Sequence, residues 1–224
     1  NGGGSVLTSA YLASMIYGGA SENETFAKLI YNSKHADEGG FYPFFNKAFI
    51  YDKDGEYSGN EATINRLNSL TKLYVITSRS TASASEMIIN GLTPYMSVIK
   101  VGTTTYGKNV GSITLYDSSN FKKEGVNTLH NNALQPIVFQ IYNKLDESDY
   151  TLGFKPDYEV IEFASQIKPF GDMDEPLLKT ALDHISGAIS KPSLAKKSKF
   201  ETGPSLFNSL DIKKHAKEMY IIPE

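Results

Sequence analysis

Three small hydroxyls crowd the segment TASASE (Thr81–Glu86), directly behind the apolar run KLYVITS (Lys72–Ser78). A serine at the tip of a buried strand, followed at once by a helix, is well placed as a nucleophile. The helix start brings backbone N–H groups and a positive dipole end beside it. The same residues also suit plain capping, with Glu86 completing a capping box. A serine hydroxyl attacks poorly without a base. None of the four histidines, His35, His130, His184 and His215, lies beside a strand end with an orienting acid, and no G-x-S-x-G turn occurs. Lysine is the other base available to serine. Lys108 follows the next apolar run, SVIKVGT (Ser97–Thr103), so adjacent parallel strands would bring it near Ser83. Such a lysine must be neutral to act. Its ordinary pKa of about 10.4 has to fall to roughly 7–8, which burial achieves.

Lys108 has a competing reading. GTTTYGKN (Gly102–Asn109) fits the phosphate-loop pattern G-x-x-x-x-G-K-[ST] at every position but the last, where Asn109 replaces the Mg²⁺-binding hydroxyl. A phosphate loop must run into a helix N-terminus. Here Val110, Ile113 and Leu115 read as strand, which argues against a nucleotide. A third requirement of acyl transfer is a set of N–H donors for the oxyanion. NGGG (Asn1–Gly4), directly before a helix, can supply it because glycines let backbone approach a carbonyl closely.

The remaining sequence must position these pieces. Val6, Leu7, Tyr11, Leu12, Met15 and Ile16 form one apolar face of a helix that Gly18 and Gly19 end. A second helical segment is expected at Glu24–Tyr31. FFNKAFIYDKDGEYSG reads as a hairpin turning at Asp52–Gly55; a calcium loop there would need a closing Glu and further ligands. KLYVITS, the helix after it and SVIKVGT make a βαβ unit with buried strands, and hence an α/β sheet. PIVFQIYN is a further strand. DEPLLKTALDHISG is an amphipathic helix with Leu177, Leu178, Ala181, Leu182 and Ile185 on one face. The division expected is a core over 1–187 and a peripheral, lysine-rich extension over 188–224.

Composition narrows the classes. The chain has 224 residues, 40% hydrophobic and 21% charged, with a net charge of −3. That suits one large folded domain and gives no general pull toward nucleic acid. With no cysteine, disulfides, thiolate metal sites and a cysteine nucleophile are excluded. No apolar run approaches the roughly 20 residues of a membrane span. No cofactor or metal is called for. The chain opens on Asn1 and a glycine run, which reads as a fragment or a processed product.

Together, NGGG, TASASE and TYGK (Thr105–Lys108) resemble the C-terminal processing (tail-specific) serine peptidases, and GFKPD (Gly153–Asp157) resembles their G-x-x-P-D. The resemblance covers roughly residues 1–185. It implies an α/β, crotonase/ClpP-like core and a Ser–Lys dyad. The 25-residue step from Ser83 to Lys108 matches the family spacing, which selects Ser83 over Ser85. Ser83 would attack the scissile carbonyl and Lys108 would carry the proton. Ala84 and a glycine of the first run, Gly4 or its neighbour Gly3, would hold the oxyanion. Many members place Gln four residues after the lysine to orient it; here Ser112 stands there. The resemblance further implies a polypeptide substrate, an exported bacterial location in periplasm or cell envelope, a peptide-binding PDZ domain upstream, and scope for oligomers. The rival reading is a peptide- or ligand-binding protein that keeps the fold without proteolysis.

Overall fold

The computed structural model describes residues 1–52, 57–163, 166–188 and 219–221. In chain order it contains β1 (Gly4–Ser5), α1 (Val6–Ile16), β2 (Thr25–Tyr31), β3 (Gly40–Pro43), β4 (Lys47–Tyr51) and β5 (Tyr57–Thr63). Next come β6 (Lys72–Thr77), α2 (Ala84–Leu92), β7 (Ser97–Gly102), β8 (Val110–Ile113), β9 (Leu115–Tyr116) and β10 (Ala133–Leu134). β11 (Ile137–Tyr142), β12 (Tyr158–Glu159), α3 (Pro176–Ile185) and β13 (Met219–Ile221) complete the order.

A mixed α/β architecture results. One sheet runs β1-β13-β8-β11-β2-β3, a second runs β12-β7-β6, and β4–β5 and β9–β10 form separate two-stranded pairs. β6 and β7 pair in parallel across α2, which is the expected βαβ unit. β6 is an edge strand and only partly buried, with Ile76 46% exposed, where a buried strand was expected. The main core gathers α1, α2 and the inner face of the larger sheet, through Val6, Ala10, Phe26, Met87, Leu92 and Phe139.

Two local expectations are corrected. Residues 25–31 form β2, not a helix, paired antiparallel to β11 on one side and β3 on the other. Thr, Phe, Ile and Tyr in TFAKLIY favour a pleated, half-buried surface, and two neighbours supply the ladder. In α1 the buried side is Val6, Ser9, Ala10, Ala13 and Ser14, while Leu12 and Met15 are exposed. Small side chains let α1 approach the core closely. The buried hydroxyls are satisfied within the helix, Ser9 Oγ donating to Val6 O at 2.7 Å and Ser14 Oγ to Ala10 O at 2.6 Å.

The β4–β5 hairpin forms as expected; its turn, residues 53–56, lies outside the described residues, and so does most of the stretch from 188. Met219–Ile221 of that stretch is not peripheral. It fills the slot between β1 and β8, parallel to both, and Met219 is fully buried.

Candidate active site

β6 ends at Thr77, and the chain turns through Thr81 into α2. Thr81 Oγ1 accepts from Ser78 N at 3.0 Å, and Thr81 N donates to Ser78 O at 2.9 Å, which fixes the turn. Ser83 is the N-cap residue, with φ 63° and ψ −122°. A non-glycine residue with positive φ costs about 1–3 kcal/mol and persists only where its surroundings dictate it. Ser83 is fully buried, and its Oγ has no hydrogen-bond partner among the described residues. The strained turn therefore buries the hydroxyl at the head of α2, in the capping-box position opposite Glu86 but without a hydrogen bond to a described residue. Ala84 is the first helical residue, so its N–H has no intrahelical acceptor.

Glu86 organises what surrounds Ser83. It is fully buried, and its carboxylate accepts four hydrogen bonds. Oε2 accepts from Ser83 N at 2.9 Å and Lys108 N at 2.8 Å. Oε1 accepts from Gly107 N at 2.6 Å and Thr105 Oγ1 at 2.5 Å. One side chain thus binds the backbone of Ser83 to that of Lys108. The capping-box reading found only the first of these bonds. The other three come from a loop about twenty residues away, which local spacing does not reveal.

That loop is held from its far side as well. Thr105 N donates to Phe154 O, and Phe154 N donates to Thr105 Oγ1 at 2.8 Å. Gly107 has φ +95°, and a Cβ there would stand 2.3 Å from Thr151 O; a Cβ on Gly153 would stand 2.1 Å from Thr105 O. GFKPD is therefore a clamp. Its Asp157 accepts from Lys100 N at 2.7 Å and pairs with Lys100 Nζ at 2.8 Å, anchoring the segment to β7.

The loop is not a phosphate cradle. Its Gly107 and Lys108 amides already serve Glu86, and the chain continues into β8 instead of a helix. Lys108 itself is half-buried. Ser112 is buried, and its hydroxyl donates to Met219 O at 3.1 Å. Tyr150 is buried too, with a phenol that lacks a partner among the described residues. Burial first, then the charge of Glu86, push its pKa well up.

The glycine run lies beside the Thr81–Ser83 turn, because Ala82 N donates to Asn1 O at 3.3 Å. Gly4 has φ +141° and open space where a Cβ would be. The Gly3 N–H is turned onto Asn1 Oδ1 at 3.0 Å. The histidines are engaged elsewhere: His35 with Glu38, His130 with Asp117, and His184 with the Tyr74 hydroxyl at 2.6 Å. His215 lies outside the described residues. Among those residues there is no cluster of side chains fit to hold a metal, and no helix is long and apolar enough to cross a membrane.

The sequence profile of peptidase family S41 matches residues 1–160. A crystal structure from Bacteroides fragilis NCTC 9343, of a protein assigned to the S41 proteases, is 30% identical with a TM-score of 0.67. It covers 84% of this chain, which spans 43% of that protein. The photosystem II D1 C-terminal processing protease is 19% identical with a TM-score of 0.44, covering 71% of this chain and 32% of its own. A lipoprotein from Streptococcus agalactiae is 16% identical with a TM-score of 0.42, covering 81% and 50%. No protein of curated function matches.

Proposed function

The chain belongs to peptidase family S41, and from that premise we propose that it is a serine endopeptidase acting through Ser83 and Lys108. Ser83 Oγ attacks the scissile carbonyl carbon while its proton passes to neutral Lys108 Nζ. The carbonyl oxygen, now negative, is held by the N–H groups of Ala84 and Gly4. Lys108 then gives the proton to the leaving amine, the C–N bond breaks, and an acyl-Ser83 ester remains. Water repeats the cycle with Lys108 as base and frees Ser83. Substrates are extended polypeptides, unfolded chains or C-terminal tails, reached outside the cytoplasm on a crotonase-like core.

The observation that carries this reading is the state of Ser83. It is strained, buried and unpartnered at a helix head, and one carboxylate ties its backbone to that of Lys108. The position of Ser112, turned onto β13, keeps the binding-protein reading in play.

Cleavage of casein by the wild-type protein, Ser83→Ala and Lys108→Ala is the test. Both variants should stay folded and lose about 10⁴-fold or more in kcat. The wild-type rate should climb with pH as Lys108 loses its proton; a flat profile from about pH 6 to 9 would exclude a lysine base. Silence of all three proteins, with peptide still bound, would move the function to binding.

A further inference from the structure

β1 is two residues long, and among the described strands it pairs only with β13. The register sets Gly4 against Met219 and Ser5 against Tyr220. On its other edge β13 pairs with β8, Tyr220 against Ser112 and Ile221 against Ile113. Lys108 lies just before β8. The glycine proposed as oxyanion donor and the strand that follows the proposed base are thus joined across a sheet by three residues from near the far end of the sequence.

The join has two further supports. Ser112 Oγ donates to Met219 O, which adds a side-chain tie to the ladder. The Met219 side chain is fully buried in the same cluster as Val6 and Ala10 of α1 and Met87 of α2. Beyond β13, the glycine run is tied toward the nucleophile turn by the bond from Ala82 N to Asn1 O. We propose that β13 is a positioning strand of the active site: seated between β1 and β8, it sets Gly4 at the distance from Ser83 and Lys108 that oxyanion binding needs. This rests on the Ser–Lys peptidase reading. Its physical basis is that a donor displaced by about 1 Å no longer stabilises the developing charge, which can cost about 10²-fold in rate. A donor that engages only the developing negative charge adds little to ground-state binding. β13 therefore acts on kcat and leaves KM alone.

The experiment uses the full chain with Tyr220→Pro, which removes one N–H from a strand flanked on both sides, beside Tyr220→Val, which keeps the ladder. Hydrogen exchange at Gly4, Ser5 and Val110–Ile113 is read with kcat and KM on a peptide, and with inhibition by a peptide boronate that mimics the tetrahedral intermediate. Expected for Tyr220→Pro is faster exchange at Gly4 and Ser5. Its kcat and boronate affinity should both fall roughly ten- to hundredfold, with KM within about twofold. Tyr220→Val should retain wild-type values. Unchanged exchange at Gly4 and Ser5 overturns the proposal, and so does raised exchange with unchanged kcat. If the wild-type protein cleaves nothing, the peptidase reading fails, and exchange alone decides whether β13 holds β1 to β8. If Tyr220→Pro does not fold, Ser112→Ala replaces it. A lower kcat with an unmoved pH midpoint then supports the strand, while a moved midpoint, or no change at all, overturns it.

Discussion

The two sides of this site are held in opposite ways. The backbones of the proposed nucleophile and base meet at a buried carboxylate that accepts from Ser83, Thr105, Gly107 and Lys108. Behind it the loop is braced by Phe154 and by backbone packed too closely for any Cβ at Gly107 or Gly153. The proposed oxyanion side has no such node among the described residues. Asn1–Ser5 is held by one 3.3 Å bond to Ala82, by the Gly3–Asn1 turn, by β13 and by Ser5 capping α1, and a Cβ on Gly4 would touch nothing. The proposed proton transfer needs two residues at a fixed separation, and a buried node that binds both of their backbone N–H groups suits that. The proposed oxyanion donor would have to meet a carbonyl that arrives with the substrate, and a glycine with open space at its Cβ position suits that task.

Removing the node should have the largest effect. Glu86→Ala strips the acceptor from three backbone amides and one hydroxyl in a buried place. Each unmet donor costs about 1–3 kcal/mol, so the loss approaches the whole stability of an ordinary domain. Little folded protein is expected in a urea titration. Glu86→Gln keeps the shape but turns an NH₂ group toward donors. It should lose about 2–4 kcal/mol and, where folded, much of its activity. A Glu86→Gln protein as stable as wild type would dissolve the distinction between the two sides.

Gly107→Ala comes next. The new Cβ would meet Thr151 O at 2.3 Å on a φ of +95°. Loop 105–108 or segment 151–154 must then shift, for about 2–4 kcal/mol. Gly4→Ala is the matched probe on the other side. Its φ of +141° is one that side chains rarely adopt, so alanine there costs about 1–3 kcal/mol, but it meets no clash. Its effect should appear in kcat more than in stability, since turning the N–H away removes an oxyanion donor worth about 10²-fold. Equal stability losses at the two glycines would show that the glycine run is as rigid as the loop.

The same contrast decides what was legible in the sequence. The βαβ unit was readable because KLYVITS and SVIKVGT are compact apolar runs with a helical stretch between them. The nearness of the Ser83 and Lys108 backbones, which Glu86 joins, was readable because a serine at a helix start and a lysine fall at a spacing that resembles a known family. The role of Glu86 was hidden, since three of its four bonds reach another loop. β2 was misread because its strand character comes from the neighbours β3 and β11 on either side, not from its own periodicity. β13 was hidden most completely. Three residues with no strong pattern become a strand only because β1 and β8 leave a slot for them.

Tyr150 sharpens the comparison at its smallest scale. Its phenol is buried on the firm side, within the field of Glu86, and has no partner among the described residues. Tyr150→Phe removes a polar atom that gains nothing from burial, so stability at neutral pH should hold or rise by up to about 1 kcal/mol. The alkaline limb gives the cleaner sign. Burial, with help from Glu86, raises the folded pKa of Tyr150 above its ordinary value, and Tyr31 and Tyr95 are pushed up to about 12. Below the unfolded pKa of about 10 none of them makes stability depend on pH. Above it the unfolded chain releases protons that the folded chain keeps, so stability falls as pH rises. Tyr150→Phe deletes one of these groups. Urea midpoints from about pH 9 to 11 should therefore decline less steeply than in wild type, while Gly4→Ala leaves the slope alone. Equal slopes in wild type and Tyr150→Phe would mean that the phenol ionises in the folded protein as freely as in the unfolded chain. The firm side would then be open to water where the structure closes it.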